Sequence, residues 1–149
     1  MNSRNNFSNN YRDKVIILET NIDDNTPEEL GFCMDLLFEA GAKDVTYTPI
    51  YMKKGRPAFK LTVICEPSME QEITTLIFKH TSSIGMRRRE SERTVMEREI
   101  ITVDTPYGPV KAKRCTYHDL EKIIVEYESA VALSRDTGVS IQKILRSVN

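Results

Sequence analysis

Three stretches of this chain carry side chains whose types and spacing suit a phosphate ester held by a divalent cation. Asp23 and Asp24 are neighbouring carboxylates just ahead of Thr26-Pro27-Glu28-Glu29, a helix-start signal. Hard carboxylate oxygens at the end of a strand can hold Mg²⁺ or Mn²⁺ against phosphate. Acids near a helix N-terminus also favour the helix dipole, which accounts for Glu28 and Glu29. It fits Asp23 less well, because Asp23 precedes the cap. Lys53, Lys54 and Arg56 surround Gly55 in a hairpin-type turn, where backbone amides and cations can wrap one anion. In Arg87-Arg88-Arg89 the strand period of two places Arg87 and Arg89 on one face, and guanidinium forks match phosphate oxygens. No GxxxxGK[ST] loop is present.

Other reactive side chains read as structural. Cys33 and Cys65 could ligate a soft metal such as nickel, but both lie on apolar stripes and are expected to pack. With Cys115 they make an odd count without CxxC spacing, so reduced thiols and a cytoplasmic location are expected. His80 falls on the inner side of a predicted helix, and His118 at the start of another. With no HExxH or Cys/His cluster, a structural zinc site is not expected. Tyr107 could stack on a base, but a turn aromatic is expected to be structural.

The elements that must position these residues follow from periodicity and punctuation. Residues 1–13, rich in Asn and Ser, read as a flexible leader or linker. Residues 14–93 then give βαββαβ. Val15–Leu18 is a strand run, and Thr26, Pro27 and Glu29 open a helix that Gly41 ends. Val45–Met52 and Ala58–Cys65 are strands. Ser68 is the expected cap of a second helix burying Ile73, Leu76, Ile77 and His80, and a fourth strand starts near Ser83. That order specifies an α+β, ferredoxin-like sandwich. Residues 94–149 read as a β-hairpin plus two-helix annex. Strands Thr94–Val103 and Val110–Arg114 meet at Pro106-Tyr107-Gly108-Pro109. A helix over Asp119–Thr137, with Leu120, Ile123, Ile124, Tyr127 and Val131 inward, stops at Gly138, and Ser140 caps a last one.

The 149 residues can bury a real core, with 40% hydrophobic and 29% charged residues. Lys and Arg number 21 against 22 Asp and Glu, a net charge of −1. The balance disfavours a basic nucleic-acid binder, and RNP-type aromatics for single-stranded RNA are not evident beyond Phe59. No run approaches the roughly 20 apolar residues of a membrane span. The near-zero total hides a division. Residues 15–35 hold six acids and no base, and residues 51–60 hold four bases and no acid.

Several of these stretches together resemble the LarC family of nickel insertion proteins. They are Leu18-Glu19-Thr20-Asn21-Ile22-Asp23-Asp24 with Thr26-Pro27-Glu28-Glu29-Leu30-Gly31, then Met52-Lys53-Lys54-Gly55-Arg56-Pro57, then Thr105-Pro106-Tyr107-Gly108-Pro109-Val110. Asn25 stands where that family usually has Met. The resemblance covers roughly residues 15–140 and is to the C-terminal part of LarC; the N-terminal LarC part would be a partner. It implies a cyclometallase of the lyase class that inserts Ni²⁺ into pyridinium-3,5-bisthiocarboxylic acid mononucleotide, consuming CTP with Mg²⁺ or Mn²⁺, to form the nickel-pincer cofactor of lactate racemase. It also implies a homo-oligomer, trimer or hexamer. Joined to the residue reading, it makes Lys53, Lys54, Arg56, Arg87 and Arg89 the expected CTP-binding cations and Asp23 and Asp24 the expected metal ligands. A ferredoxin-like nucleotide-sensing module without catalysis is the alternative reading of the same residues.

Overall fold

The computed structural model describes residues 11–148. The chain divides into two compact units, one of Asp13–Arg93 and one running from Thr94 onward together with the segment that ends at Arg12.

The first unit is built from β1 (Arg12–Ile22), α1 (Pro27–Glu39), β2 (Asp44–Tyr51), β3 (Pro57–Cys65), α2 (Glu70–His80) and β4 (Arg87–Thr94). The sheet order is β2-β3-β1-β4, with β3 antiparallel to both β1 and β2. This is the expected ferredoxin-like α+β sandwich. The register pairs Ile16 with Cys65, Leu18 with Val63 and Thr20 with Leu61, which sets one face of the sheet against the helices. Glu19 opposite Thr62 and Asn21 opposite Lys60 lie on the other, open face. Leu30, Cys33 and Leu37 from α1 and Ile73 and Ile77 from α2 complete the core. Each fully buried Leu or Ile contributes about 1.5–3 kcal/mol relative to exposure.

α1 begins as its sequence dictates. The Glu29 amide donates to Thr26 Oγ1 at 3.2 Å, and the Thr26 amide donates to Glu29 Oε2 at 2.7 Å, a complete capping box. Three expectations need correction in this unit. Ser68 does not cap α2, because Pro67–Met69 forms a 3₁₀ turn and the helix starts at Glu70 without a side-chain cap. Pro67 pre-sets the φ of that tight turn, and Arg88 of β4 holds the Glu70 carboxylate with Nε and Nη2. His80 is only half-buried, edge-on to exposed Phe32, rather than a core residue. Of the expected leader, residues 1–10 lie outside the described residues, whereas Arg12 and Asp13 belong to β1.

The second unit contains β5 (Glu97–Thr105), β6 (Gly108–Tyr117), β7 (Leu120–Val125), α3 (Tyr127–Thr137) and α4 (Ile141–Arg146). It is an antiparallel sheet in the order β5-β6-β7, so the expected hairpin gains a third strand. The helix expected from Asp119 begins only at Tyr127. Tyr117 pairs with Leu120 across a two-residue turn in which His118 takes a left-handed φ of 52°, so His118 starts no helix. Spacing at 120, 123, 124 and 127 fits a helix, but the β-branched run Ile123-Ile124-Val125 favours the pleated strand. Leu120, Ile124 and Tyr127 consequently face solvent. At the β5–β6 turn Gly108 has φ 134°, and a Cβ there would sit 2.9 Å from Leu133 Cδ1. Tyr107 packs beside the small second core of Val110, Ala130 and Ile144, a structural role. Gly138 ends α3 in the left-handed conformation, and Ser140 precedes α4 without a side-chain cap bond.

Candidate functional site

The C-terminal end of β1 gathers residues from three elements. Along its open face the strand period presents Glu19 and Asn21, and Asp23 follows just past the strand end. On one side β3 brings Lys60 opposite Asn21, and the β2–β3 loop brings Arg56. On the other side β4 brings Arg87 and Arg89. Arg56 Nη1 lies 3.6 Å from Asp23 Oδ2. Arg87 donates through Nη2 to Asn21 Oδ1 at 3.1 Å, and its Nε is 3.7 Å from Glu19 Oε2. Arg89 grips Glu19 with both terminal nitrogens, Nη1 to Oε2 and Nη2 to Oε1, each at 3.2 Å. Arg88 points to the opposite face, onto Glu70.

The carboxylate at the centre of this cluster is well shielded, since the Glu19 side chain is only 13% exposed. Its carboxyl is held below the ordinary glutamate range, chiefly by the hydrogen bond from Arg89, with the charges of Arg89, Lys60 and Arg87 adding to it.

The loop that carries Lys53 and Lys54 is closed by the Met52 amide donating to the Arg56 carbonyl at 2.9 Å. Lys54 and Gly55 are successive left-handed residues, with φ of 62° and 67°. Both lysines are exposed, and among the described residues neither lysine nor Asp24 forms an ion pair. The structure therefore brings Asp23, Arg56, Arg87 and Arg89 into one polar strip and leaves Lys53, Lys54 and Asp24 as solvated groups at its rim.

The loop from α2 to β4 is tied to the same strand. Thr20, the buried polar residue of the first unit, has its hydroxyl against Ser83 Oγ and donates to the Gly85 carbonyl at 2.9 Å. The Ser82 amide donates to Asn25 Oδ1 at 2.8 Å. Beyond this tie lies a cleft of about 390 Å³ lined by Asn25, Glu29, Phe32, Lys79 and His80.

Among the described residues no three His, Cys, Asp or Glu side chains cluster. Asp23 and Asp24 supply hard carboxylate oxygens, the ligand type that Mg²⁺ takes together with phosphate oxygens and water. Cys33 and Cys65 do not fit nickel: both are buried in the core, and burial pushes both thiols up.

Glu19, Asn21 and Lys60 were not singled out from sequence as site residues. The alternation at 19, 21 and 23 is the signal that could have found the first two. The Thr20–Ser83 contact joins residues 63 positions apart and leaves no local trace.

Comparison with known proteins adds an independent line. The family model described as "Nickel insertion protein" matches residues 3–145. The pyridinium-3,5-bisthiocarboxylic acid mononucleotide nickel insertion protein of Alkaliphilus metalliredigens is 46% identical over 132 residues, 89% of this chain and 31% of the relative. The protein of the same name from Lactiplantibacillus plantarum is 42% identical over 139 residues, covering 93% of this chain and 33% of the relative. The chain thus spans about a third of the length of these relatives. Among solved structures, the apo form of LarC2, the C-terminal domain of a cyclometallase involved in synthesis of the NPN cofactor of lactate racemase, superposes with TM-score 0.87 at 42% identity. The match covers 92% of this chain and 95% of that one. A protein of Methanopyrus kandleri shares the fold at TM-score 0.67 and 21% identity, over 91% of this chain and 86% of that one.

Proposed function

The chain belongs to the nickel insertion protein family, and on that premise we propose that it is the metal–nucleotide-binding portion of a nickel insertase. In this reading it binds CTP with Mg²⁺ or Mn²⁺ and serves the insertion of nickel into pyridinium-3,5-bisthiocarboxylic acid mononucleotide, the reaction after which its relatives are named. In this reading nickel is the substrate metal.

The observation that carries the reading is the convergence of Asp23, Arg56, Arg87 and Arg89 at the end of β1. A metal-bound triphosphate carries several negative charges. It needs cations spread over its oxygens and one or two hard carboxylates for the metal. Arg56 and Arg87 flank the strand end on opposite sides, with Asp23 beside Arg56, while Lys53 and Lys54 stand exposed on a loop open to solvent. The cleft over Phe32 and His80 begins at Asn25, next to Asp24, and its volume is within the range of small-molecule sites.

Calorimetry on this chain with CTP, UTP, ATP and GTP, each with and without Mn²⁺, tests the reading. CTP is expected to bind most tightly, and only with the metal. Equal affinity for all four nucleotides, or no metal dependence, would sink it. Release of CMP and pyrophosphate with nickel and the organic substrate present would then separate an insertase from a nucleotide sensor.

A further inference from the structure

Arg87 and Arg89 share a strand face and carry the same charge, yet their guanidinium groups are committed differently. Arg89 has both terminal nitrogens on the two oxygens of Glu19, so its end-on edge is occupied by a carboxylate and its remaining donors are Nε and one outer proton on each terminal nitrogen. Arg87 uses one Nη2 proton on Asn21 and turns Nε toward Glu19, while Nη1 has no partner among the described residues. Glu19 is the shielded member of the group, and both arginines are 57% exposed. A guanidinium hydrogen-bonded through Nη2, with Nε 3.7 Å from a carboxylate oxygen, has its orientation restrained and still offers Nη1 and the second Nη2 proton.

We propose that Arg87 is the arginine of this face that contacts the anionic ligand, that Asn21 and Glu19 are its positioning residues, and that Arg89 serves to hold Glu19. This rests on the metal–triphosphate reading of the site. Restraining Arg87 before the ligand arrives reduces the rotamer entropy lost on binding. Asn21 adds no charge to the strip, so its role is orientation alone.

The arrangement predicts effects that counting charges does not. Removing either arginine deletes one positive charge, so simple electrostatics expects equal losses of anion affinity. It also expects Glu19→Gln, which deletes a negative charge, to tighten binding. Positioning predicts the reverse on both points.

The test is calorimetry of the full chain with inorganic tripolyphosphate and Mn²⁺, then with CTP and Mn²⁺, at two salt concentrations. Arg87→Ala is expected to weaken tripolyphosphate binding about tenfold or more, as for loss of a charged hydrogen-bonding group. Asn21→Ala and Glu19→Gln are expected to weaken it several-fold, and Arg89→Ala less than about threefold. Arg89→Lys should restore the Arg89→Ala loss, since a lysine still pairs with Glu19. Equal losses for Arg87→Ala and Arg89→Ala, or tighter binding in Glu19→Gln, would overturn the proposal. All these side chains lie on the open face or at the strand edge, and melting temperatures measured alongside identify any variant that loses affinity by unfolding. The tripolyphosphate arm keeps the two readings separable. Loss of CTP preference defeats the nucleotide assignment, while the Arg87 to Arg89 contrast still decides this one.

Discussion

The open face of the four-stranded sheet and that of the three-stranded sheet hold comparable numbers of cations and organise them in opposite ways. On the first, Arg87, Arg89 and Arg56 are drawn toward β1 by Glu19, Asn21 and Asp23, contacts that cross between strands. On the second, the register places Arg98, Lys111, Lys113 and Lys122 on one face with exposed Ile100, Leu120 and Ile124, and among the described residues none of the four forms an ion pair. The ion pairs of that sheet lie on its other face, where Arg114 meets Glu99 and Glu121 at 3.4 and 3.5 Å. The contrast teaches that cation content does not define an anion site. On the proposed reading, cations must be held at defined positions by partners that keep some donors free, and of these two faces, among the described residues, the β1 strip has that construction.

The largest effects should come from the cores beneath these faces. Leu61→Ala, at a fully buried position of the thirteen-residue first core, is expected to lower unfolding free energy by about 2–5 kcal/mol. Ile144→Ala removes one of the three fully buried residues that the second core shows among the described residues and should cost a similar amount there. Denaturant melts followed by probes in each unit should show each loss in its own unit. A single shared loss would mean that the two sheets do not behave as separate cores.

Intermediate effects concern the anion. Arg56→Ala should weaken Mn²⁺–CTP binding by about tenfold with the melting temperature almost unchanged, because its ion pair is largely solvent-exposed. Lys113→Ala on the annex face should leave that affinity within about twofold, a difference too small to stem from a direct charged contact. Equal losses for the two would erase the distinction between the faces.

The smallest effect is a pH dependence. The Glu19 carboxyl lies below its ordinary value in the folded chain, so on acidification the unfolded chain takes up this proton first. The stabilisation from Glu19 is therefore complete above its unfolded value and is lost as pH falls through the folded one. Glu19→Gln should flatten this part of the acid limb in melting experiments and change the melting temperature near neutral pH by at most a few degrees. An acid limb identical to that of the parent chain would show that the Arg89 contact does not persist in solution.

Legibility in the sequence followed the range of the interactions involved. The capping box at Thr26 and the left-handed Gly138 were readable because the groups involved are at most four residues apart. Alternation in 59–65 identified β3 because one of its faces is covered by the helices. β7 reads as helix in the sequence because Leu120, Ile123, Ile124 and Tyr127 fall at the helical spacing i, i+3, i+4 and i+7. Only pairing with β6, whose residues Ala112 to Tyr117 stand opposite Val125 to Leu120, selects the strand. β1 looked four residues long because Glu19 and Asn21 interrupt its apolar run; they are the open-face residues of an eleven-residue strand.

The amino-acid sequence by itself determined the βαββαβ order, the helix starts and stops marked by local caps, and which side chains could meet a phosphate or a hard cation. These are properties of residue type and short-range spacing, where backbone stereochemistry and a few hydrogen bonds dominate. Only the tertiary structure decided which arginines face the same carboxylate, which of them has its end-on edge occupied by it, and that Cys33 and Cys65 are sealed in the core. Those outcomes depend on strand register and on contacts between residues more than sixty positions apart, such as Asn21 with Arg87 and Glu19 with Arg89. No local pattern encodes such contacts, because packing of the whole sheet sets the distances.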